Sequence, residues 1–384
     1  MTVERTYLDW NATAPLAPEA RQAITQTLDV TGNPSSVHSE GRRARAIIET
    51  AREQVAALVG ARPSEVVFTS GATEACNTVL RAGWNAILRA GVEHDAVLKP
   101  ADGAGSEATA IAIDGNGVVD LAALDQQIRA AVEHHGIGRA LIALQFANNE
   151  TGVVQPVSSA AVLARDAGAV MFTDAVQAAG KIPVDFAALG VDAMALSAHK
   201  IGGPKGVGAL VVRDGFELPA LVQGGGQERR RRGGTENIPG IAGFGAAAEA
   251  AYRAIAEGNR IAALRDRLEA GLLERTPDAH IMGADAARLP NTTCVALAGH
   301  AAETLVIRFD LAGIAVSAGA ACSAGKIGVS HVLTAMGCDD AMARSAIRIS
   351  IGPTTTEHDI DHCLAAWRDI AARPSSLGRA RTAA

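Results

Sequence analysis

Lys200 closes the apolar run "DAMALSAHK" and opens the glycine-rich stretch "IGGPKGVGAL". A lysine at such a junction can be a solvated loop residue, a phosphate grip, or the partner of a carbonyl cofactor in a Schiff base. Three other apolar runs also end in polar residues. "TSGATEAC" carries Thr69, Ser70 and Thr73 around Gly71 and Ala72, "NNETG" carries Asn148 and Asn149, and "TDAVQ" carries Asp174 and Gln177. The lysine run adds Ser197 and His199. Open parallel sheets bind ligands at the carboxyl ends of their strands, and backbone N–H groups at a helix start suit a phosphate. Each residue alone reads equally well as a helix cap. Four polar strand ends in one domain match the needs of pyridoxal phosphate: an amine for the Schiff base, a carboxylate for the pyridine nitrogen and a phosphate cup. Lys200 can supply the first, Asp174 the second, and Ala72-Thr73 with Ser197 and His199 the third. A desolvated lysine has a lowered pKa, which leaves its amine nucleophilic. A nucleotide-type phosphate loop is excluded, because the required glycine spacing does not precede Lys200, and the near miss "GAACSAGKI" lacks Ser or Thr after Lys326.

The elements that must position these residues are short apolar runs alternating with helical patterns. "EVVFTS" (65–70), "RALIALQF" (139–146), "AVMFTDA" (169–175), "DAMALSA" (192–198) and "VGALVVR" (207–213) read as strands covered on both faces. "SSAAVLARDAG" (158–168) reads as a helix between two of them. Such alternation predicts a mostly parallel α/β sheet. After about residue 236 an alanine-rich helical stretch runs from near Ile241 to Glu274. "TTCVALAG" (292–299), "GIAVSAG" (313–319) and "AIRISIG" (346–352) then read as strands of a second, smaller α+β domain joined by that long helix. The last residues, 373–384, read as a frayed tail.

The whole chain sets bounds on function. Its 384 residues are 48% apolar and 20% charged, with a net charge of −6, so the overall charge gives no reason to expect a nucleic acid or an anionic membrane as partner. No apolar run approaches the roughly 18 residues of a membrane span, and the polar start, Met1 to Asp9, lacks a signal-peptide core. Cytoplasmic residence is the expectation. Five widely spaced cysteines without a Cys-x-x-Cys pattern argue against a disulfide framework or a thiolate zinc site. Two further patterns invite other readings. His358 and His362 stand four apart on a helical pattern, which is metal-ligand spacing but more often a solvated face, and no metal is expected. The basic run in "QERRRRGG" (227–234) is read as an interface and active-site rim rather than a nucleic-acid patch.

In order along the chain stand "YLDWNATAPLAPEA", "GNPSSVH", "TSGATEACN", "NNETGVVQP", "DAVQAAGK", "SAHKIGGPKGVGAL", "GGGQERRRRGGTEN", "SAGAACSAG" and "IRISIG". From Tyr7 to about Trp367 this resembles the cysteine desulfurases, pyridoxal-phosphate enzymes of the class V aminotransferase superfamily. The resemblance implies an α/β fold with a large cofactor-binding domain, residues 13–250, built on a mostly parallel seven-stranded sheet covered by helices. A smaller α+β domain, 251–384, would carry a cysteine loop, with residues 1–12 packing on it. It implies that Lys200 forms the Schiff base, Asp174 partners the pyridine nitrogen, and Gln177 donates to the ring hydroxyl. Ala72, Thr73, Ser197 and His199 would form the phosphate cup. His94 would stack on the ring and move protons, and Asn149 would lie beside cofactor and substrate. Asn33 would line the substrate site, and Thr235 would reach the phosphate of a neighbouring subunit, which implies a homodimer. Arg348 would hold the substrate's α-carboxylate, a role its planar fork suits independently, although a strand arginine can also be a structural ion pair.

Cys322 lies in the small-residue run "SAGAACSAGKIGVSHV", a poor place for a core cysteine and a good one for an accessible thiol. Its distance from "SHVL" resembles the long-loop desulfurases that feed iron–sulfur assembly, with alanines at 320, 321 and 324 where serines are frequent. The expected reaction converts L-cysteine to L-alanine and leaves a persulfide on Cys322 for a sulfur-acceptor protein. An aminotransferase, or a cysteine or selenocysteine lyase, would keep Lys200 and Asp174 without persulfide transfer. A catalytically idle scaffold protein would turn over no cysteine at all.

Overall fold

A computed structural model describes residues 5–319 and 328–372. Its thirteen described strands are β1 (Thr6–Tyr7), β2 (Val66–Thr69), β3 (Ala86–Ala90), β4 (Glu107–Ile111), β5 (Ala140–Ala143), β6 (Val170–Asp174), β7 (Ala193–Ser197), β8 (Gly208–Val212), β9 (Ala279–Ile281), β10 (Thr292–Leu297), β11 (Ile314–Ala315), β12 (Ser317–Ala318) and β13 (Ala346–Ser350). Seven form one sheet in the order β2-β8-β7-β6-β5-β3-β4. All neighbours pair in parallel except β8, which runs antiparallel to both β2 and β7. The expected α/β fold with a mostly parallel seven-stranded sheet is therefore present.

The central strands β5, β6, β7 and β8 are buried at every residue, as expected where helices cover both faces. Helices Val157–Ala167 and Leu121–His135 cover one side, and the first ends at Gly168 in the left-handed conformation. Helix Ala72–Leu80 packs against β7 and β8. Gly208 lets β8 pass beside the turn that starts this helix. A Cβ there would stand 2.6 Å from the Leu196 carbonyl oxygen and 2.7 Å from the Cα of Gly71.

The expected single helix from Ile241 to Glu274 is two helices, Ile238–Ala254 and Gly258–Arg275, separated by a 3₁₀ turn over Ile255–Glu257. The break lets each helix serve a different core. Ile241 and Phe244 of the first pack with Ile142 and Met194 under the large sheet. Ile261, Leu264 and Leu268 of the second pack with Phe309 and Trp367. That second core lies against a four-stranded antiparallel sheet, β12-β13-β10-β9. The run "GIAVSAG" is likewise divided: β11 pairs in parallel with β1, and β12 pairs with β13. Residues near the amino terminus thus lie on the smaller sheet's side, with Leu8 in its core and Asp9 bridging to Ser350.

Candidate active site

The carboxyl ends of the large sheet open into a cavity of about 700 Å³. The turn Ser70-Gly71 after β2 leads into helix Ala72–Leu80, whose start has no side-chain cap. Its first N–H groups therefore have no partner within the helix and line the cavity wall with Ala72 and Thr73. Strand β6 ends on Asp174, which is 8% exposed. Its Oδ1 accepts the Val176 N–H at 2.9 Å. Burial pushes the Asp174 carboxyl up, while that N–H and the nearby His94 and Lys200 hold it back. A cation placed against it would keep it ionised.

Strand β7 ends on Ser197, and the following turn carries His199 and Lys200 into the same wall. Lys200 Nζ donates to the carbonyl oxygens of Asn11 at 2.6 Å and Ala12 at 2.9 Å. His199 Nδ1 lies 3.2 Å from Thr13 Oγ1. Burial, with Lys200 and Lys205 nearby, lowers its pKa to about 4, so the ring is neutral at ordinary pH. His94 caps helix Asp95–Asp102, its Nδ1 accepting from the Ala96 N–H at 3.0 Å. The acceptor role of Nδ1 puts the neutral ring's proton on Nε2. Burial lowers the His94 pKa, partly countered by Asp174.

The smaller sheet supplies Arg348, in the middle of β13 and 3% exposed. One guanidinium nitrogen donates to the Asn149 carbonyl at 3.0 Å and another to Asp9 Oδ1 at 2.7 Å. Its buried Nε has no partner. Arginine has five N–H donors, so these two bonds leave donors for a carboxylate. The ion pair with Asp9 bears out the structural reading of this arginine.

Ala72, Thr73, His94, Asn149, Asp174, Gln177, Ser197, His199, Lys200 and Arg348 thus share one cavity. Asn33 and Thr235 do not line it. Asn33 is exposed, its Oδ1 accepting from the Ser35 N–H at 2.9 Å. Thr235 is exposed on a smaller neighbouring cavity that shares Ser70, Gly206 and Val207 with the large one. Cys322 lies outside the described residues. The four described cysteines do not have the features of a reactive thiol. Cys76, Cys294 and Cys363 are buried, and burial pushes all four thiols up, Cys363 to about 12.

Sequence reading missed several residues of this site. Asn11, Ala12 and Thr13 line the cavity, and Asn11 donates through Nδ2 to Thr292 Oγ1 at 2.9 Å, linking the two sheets. The only local signal was the quoted run "YLDWNATAP". Glu93 accepts the Gln145 N–H at 2.7 Å and is pushed far up by burial, yet its place beside His94 attracted no attention.

The other two patterns also have places. His362 Nδ1 lies 2.9 Å from Thr6 Oγ1, and no group of three metal-binding side chains occurs among the described residues. In the basic run, Glu228 points inward. It takes Arg52 in a bidentate pair at 2.7 and 2.9 Å and accepts the Phe68 N–H at 2.9 Å. Glu228, Arg229 and Arg230 all have positive φ, a conformation that costs such residues about 1–3 kcal/mol each. Arg232 pairs with Glu74 of the cavity wall at 2.9 Å.

The model of the Aminotransferase class-V family matches residues 6–363. The chain belongs to that family. Similar curated class V proteins include a cysteine desulfurase of Cereibacter sphaeroides, 45% identical over 374 residues and covering 94% of each chain. An IscS-like cysteine desulfurase of Mycobacterium tuberculosis is 39% identical, with 98% of each chain covered. Among solved structures, a NifS-like protein from Rickettsia africae is 35% identical with a TM-score of 0.89, covering 96% of this chain and all of that one (100%). SspA in complex with cysteine is 31% identical with a TM-score of 0.75, covering 91% of this chain and 100% of that one. The activity that accompanies this similarity is cysteine desulfuration, and class V enzymes of this kind depend on pyridoxal phosphate. The residues present fit that cofactor: the uncapped helix start suits its phosphate, the buried Asp174 a ring cation, and Lys200 its aldehyde.

Proposed function

We propose that this cavity turns L-cysteine into L-alanine and that Cys322 carries the sulfur away as a persulfide. One observation carries the reading: a single cavity joins Lys200, Asp174 and an uncapped helix start from the large sheet to Arg348 from the small one. That arrangement would hold an amino acid by its carboxylate beside a cofactor held by its phosphate and ring. Ala72, Thr73, Ser197 and His199 would hold the phosphate, Asp174 the ring nitrogen, Gln177 the ring hydroxyl and Lys200 the aldehyde. When bound, pyridoxal phosphate supplies an electron-poor ring that takes up the electron pair left on the substrate's α-carbon.

This chain's residues do the rest. Arg348 binds the α-carboxylate with donors its two protein partners leave over. Lys200 takes the Cα proton. His94, neutral with its proton on Nε2, passes protons between neighbouring atoms. The Cys322 thiolate attacks the substrate sulfur. The sulfur–Cβ bond breaks, its electron pair stays on carbon, one proton completes the methyl group, and Cα recovers the proton that Lys200 took, giving alanine. Sulfur remains as the Cys322 persulfide, so the step needs no outside oxidant, and an acceptor protein for iron–sulfur or related synthesis then removes it. Thr235 would reach the cofactor phosphate of a second copy, so the working form is a homodimer, and Asn33 would line the substrate site. The test is the purified chain supplied with pyridoxal phosphate and L-cysteine, assayed for alanine and for persulfide by thiol labelling. Equal alanine and persulfide in a first turnover supports the reading. Pyruvate or free sulfide without enzyme persulfide would instead make the protein an eliminating lyase.

A further inference from the structure

Lys181 lines the adjoining cavity rather than the cofactor cavity and is hydrogen-bonded to two residues of the latter, Asn11 and Gln177, yet no step above uses it. Its Nζ donates to Asn11 Oδ1 at 2.9 Å and to Gln177 Oε1. The Gln177 Nε2 donates to the Asn11 carbonyl at 3.0 Å, the same oxygen that takes Lys200 Nζ at 2.6 Å. Asn11 Nδ2 in turn donates to the Asn149 carbonyl at 3.3 Å and to Thr292 Oγ1 at 2.9 Å.

A side-chain amide can ordinarily present either end to a partner, and only its network fixes the choice. Lys181 on one end of Gln177 and the Asn11 carbonyl on the other together remove that freedom. An ammonium has donors only, so both amides must turn their oxygens toward it. Gln177 is then left with its nitrogen free to donate, and one of its two N–H groups is already on Asn11. We propose that Lys181 is a positioning residue for the cofactor: by claiming Gln177 Oε1 and Asn11 Oδ1, it keeps the remaining Gln177 N–H available as a donor and steadies the carbonyl on which Lys200 rests. Burial lowers the Lys181 pKa, and the neighbouring Lys200 and Arg348 lower it further. A neutral amine still has two N–H bonds, one for each of the two oxygens. The proposal rests on the reading of Gln177 as a donor to the cofactor ring.

The experiment measures pyridoxal phosphate binding to the apoenzyme and the absorbance of the bound form. Lys181→Met should weaken binding about tenfold and shift the absorbance maximum, because Gln177 can then present its oxygen. Lys181→Arg keeps the donors, and the adjoining cavity of about 270 Å³ has room for its head group, so it should restore both. On a Gln177→Ala background, Lys181→Met should add nothing. Should Lys181→Met unfold, Lys181→Leu, which also lacks a donor, takes its place with the same expectation. If Gln177→Ala alters affinity and spectrum while Lys181→Met leaves both unchanged, the positioning role falls and the Gln177 reading stands. Additive losses in the double variant would also overturn it, by showing that Lys181 acts through another route. If Gln177→Ala changes neither quantity, the donor reading fails and takes this proposal with it.

Discussion

The two halves of the cavity are built differently. On the large-sheet side, chemistry-bearing residues stand where parallel strands stop: Asp174 ends β6, Ser197 ends β7, and His199 and Lys200 follow at once. The strands behind them are buried along their whole length, so each strand end is fixed by a closely packed core. On the small-sheet side, Arg348 sits inside an antiparallel strand, level with Ser317 on one neighbour and Cys294 on the other. It is held by one carboxylate and one carbonyl rather than by its place at a strand end. A parallel sheet thus offers a ready-made row of positions for a cofactor, whereas the antiparallel sheet lends one side chain across the gap. Glu150 stands between the halves. Ser330 Oγ donates to its Oε2 at 2.6 Å, and that oxygen lies so near Gly319 that a Cβ there would be 2.9 Å away.

The largest expected effect is on the large-sheet side. Lys200→Ala should abolish turnover and the absorbance of lysine-attached cofactor, since the other lysine lining the cavity, Lys205, is exposed five residues further along the glycine-rich loop; retention of that absorbance would remove Lys200 from the role. Next comes the transfer step. Cys322→Ser should still bind cysteine but form no persulfide and almost no alanine, because an alcohol has a far higher pKa and oxygen is a poor nucleophile toward sulfur. Rapid-scan absorbance followed by an alanine assay checks both parts, and wild-type turnover would sink the transfer mechanism. Single replacements of Cys76, Cys294, Cys338 or Cys363 should leave turnover nearly intact.

Arg348→Lys sharpens the contrast between the halves. It keeps the charge but loses the fork, so the KM for cysteine should rise roughly tenfold to a hundredfold, the scale of one charge-assisted hydrogen bond, with cofactor affinity unchanged. Steady-state kinetics and cofactor titration read the two separately; a parallel loss of cofactor would mean that the halves do not divide the work.

The smallest effect concerns the junction. Burial raises the Glu150 pKa to about 7, against the pull of Ser330 and Arg348. A carboxyl whose folded pKa lies above its unfolded value of 4.5 holds its proton longer in the native state. Stability therefore falls as pH rises from about 4.5 to 7, by on the order of 3 kcal/mol for this group alone. Glu150→Gln can still accept from Ser330 and does not titrate. Its melting temperature relative to wild type should rise between pH 5 and pH 7.5, and a constant difference would show that Glu150 does not ionise in that range.

Much of the large sheet was legible because its central strands are continuous apolar runs, and most of its site residues lie within a few positions of those runs' ends. β3 and β4 escaped notice for a local reason. "NAILRA" contains an arginine, and β4, at the sheet's edge, has only Ile111 buried, so neither shows the pattern of a doubly covered strand. The helix break at Ile255–Glu257 carries no proline, and its only local signal is the Gly258 that follows; the two helices it separates serve different cores.

The sequence by itself determined which residues could do chemistry. Lys200, Asp174 and the Gly71 turn are marked by local patterns, because strand ends and helix starts depend on neighbours a few residues away. Only the tertiary structure decided what those residues face. Lys200 rests on Asn11, 189 positions away, and Arg348 on Asp9, 339 positions away. It also decided that β8 runs against its neighbours and that one short run serves two sheets. Those choices follow from which surfaces must be buried together, and burial joins residues across any length of chain.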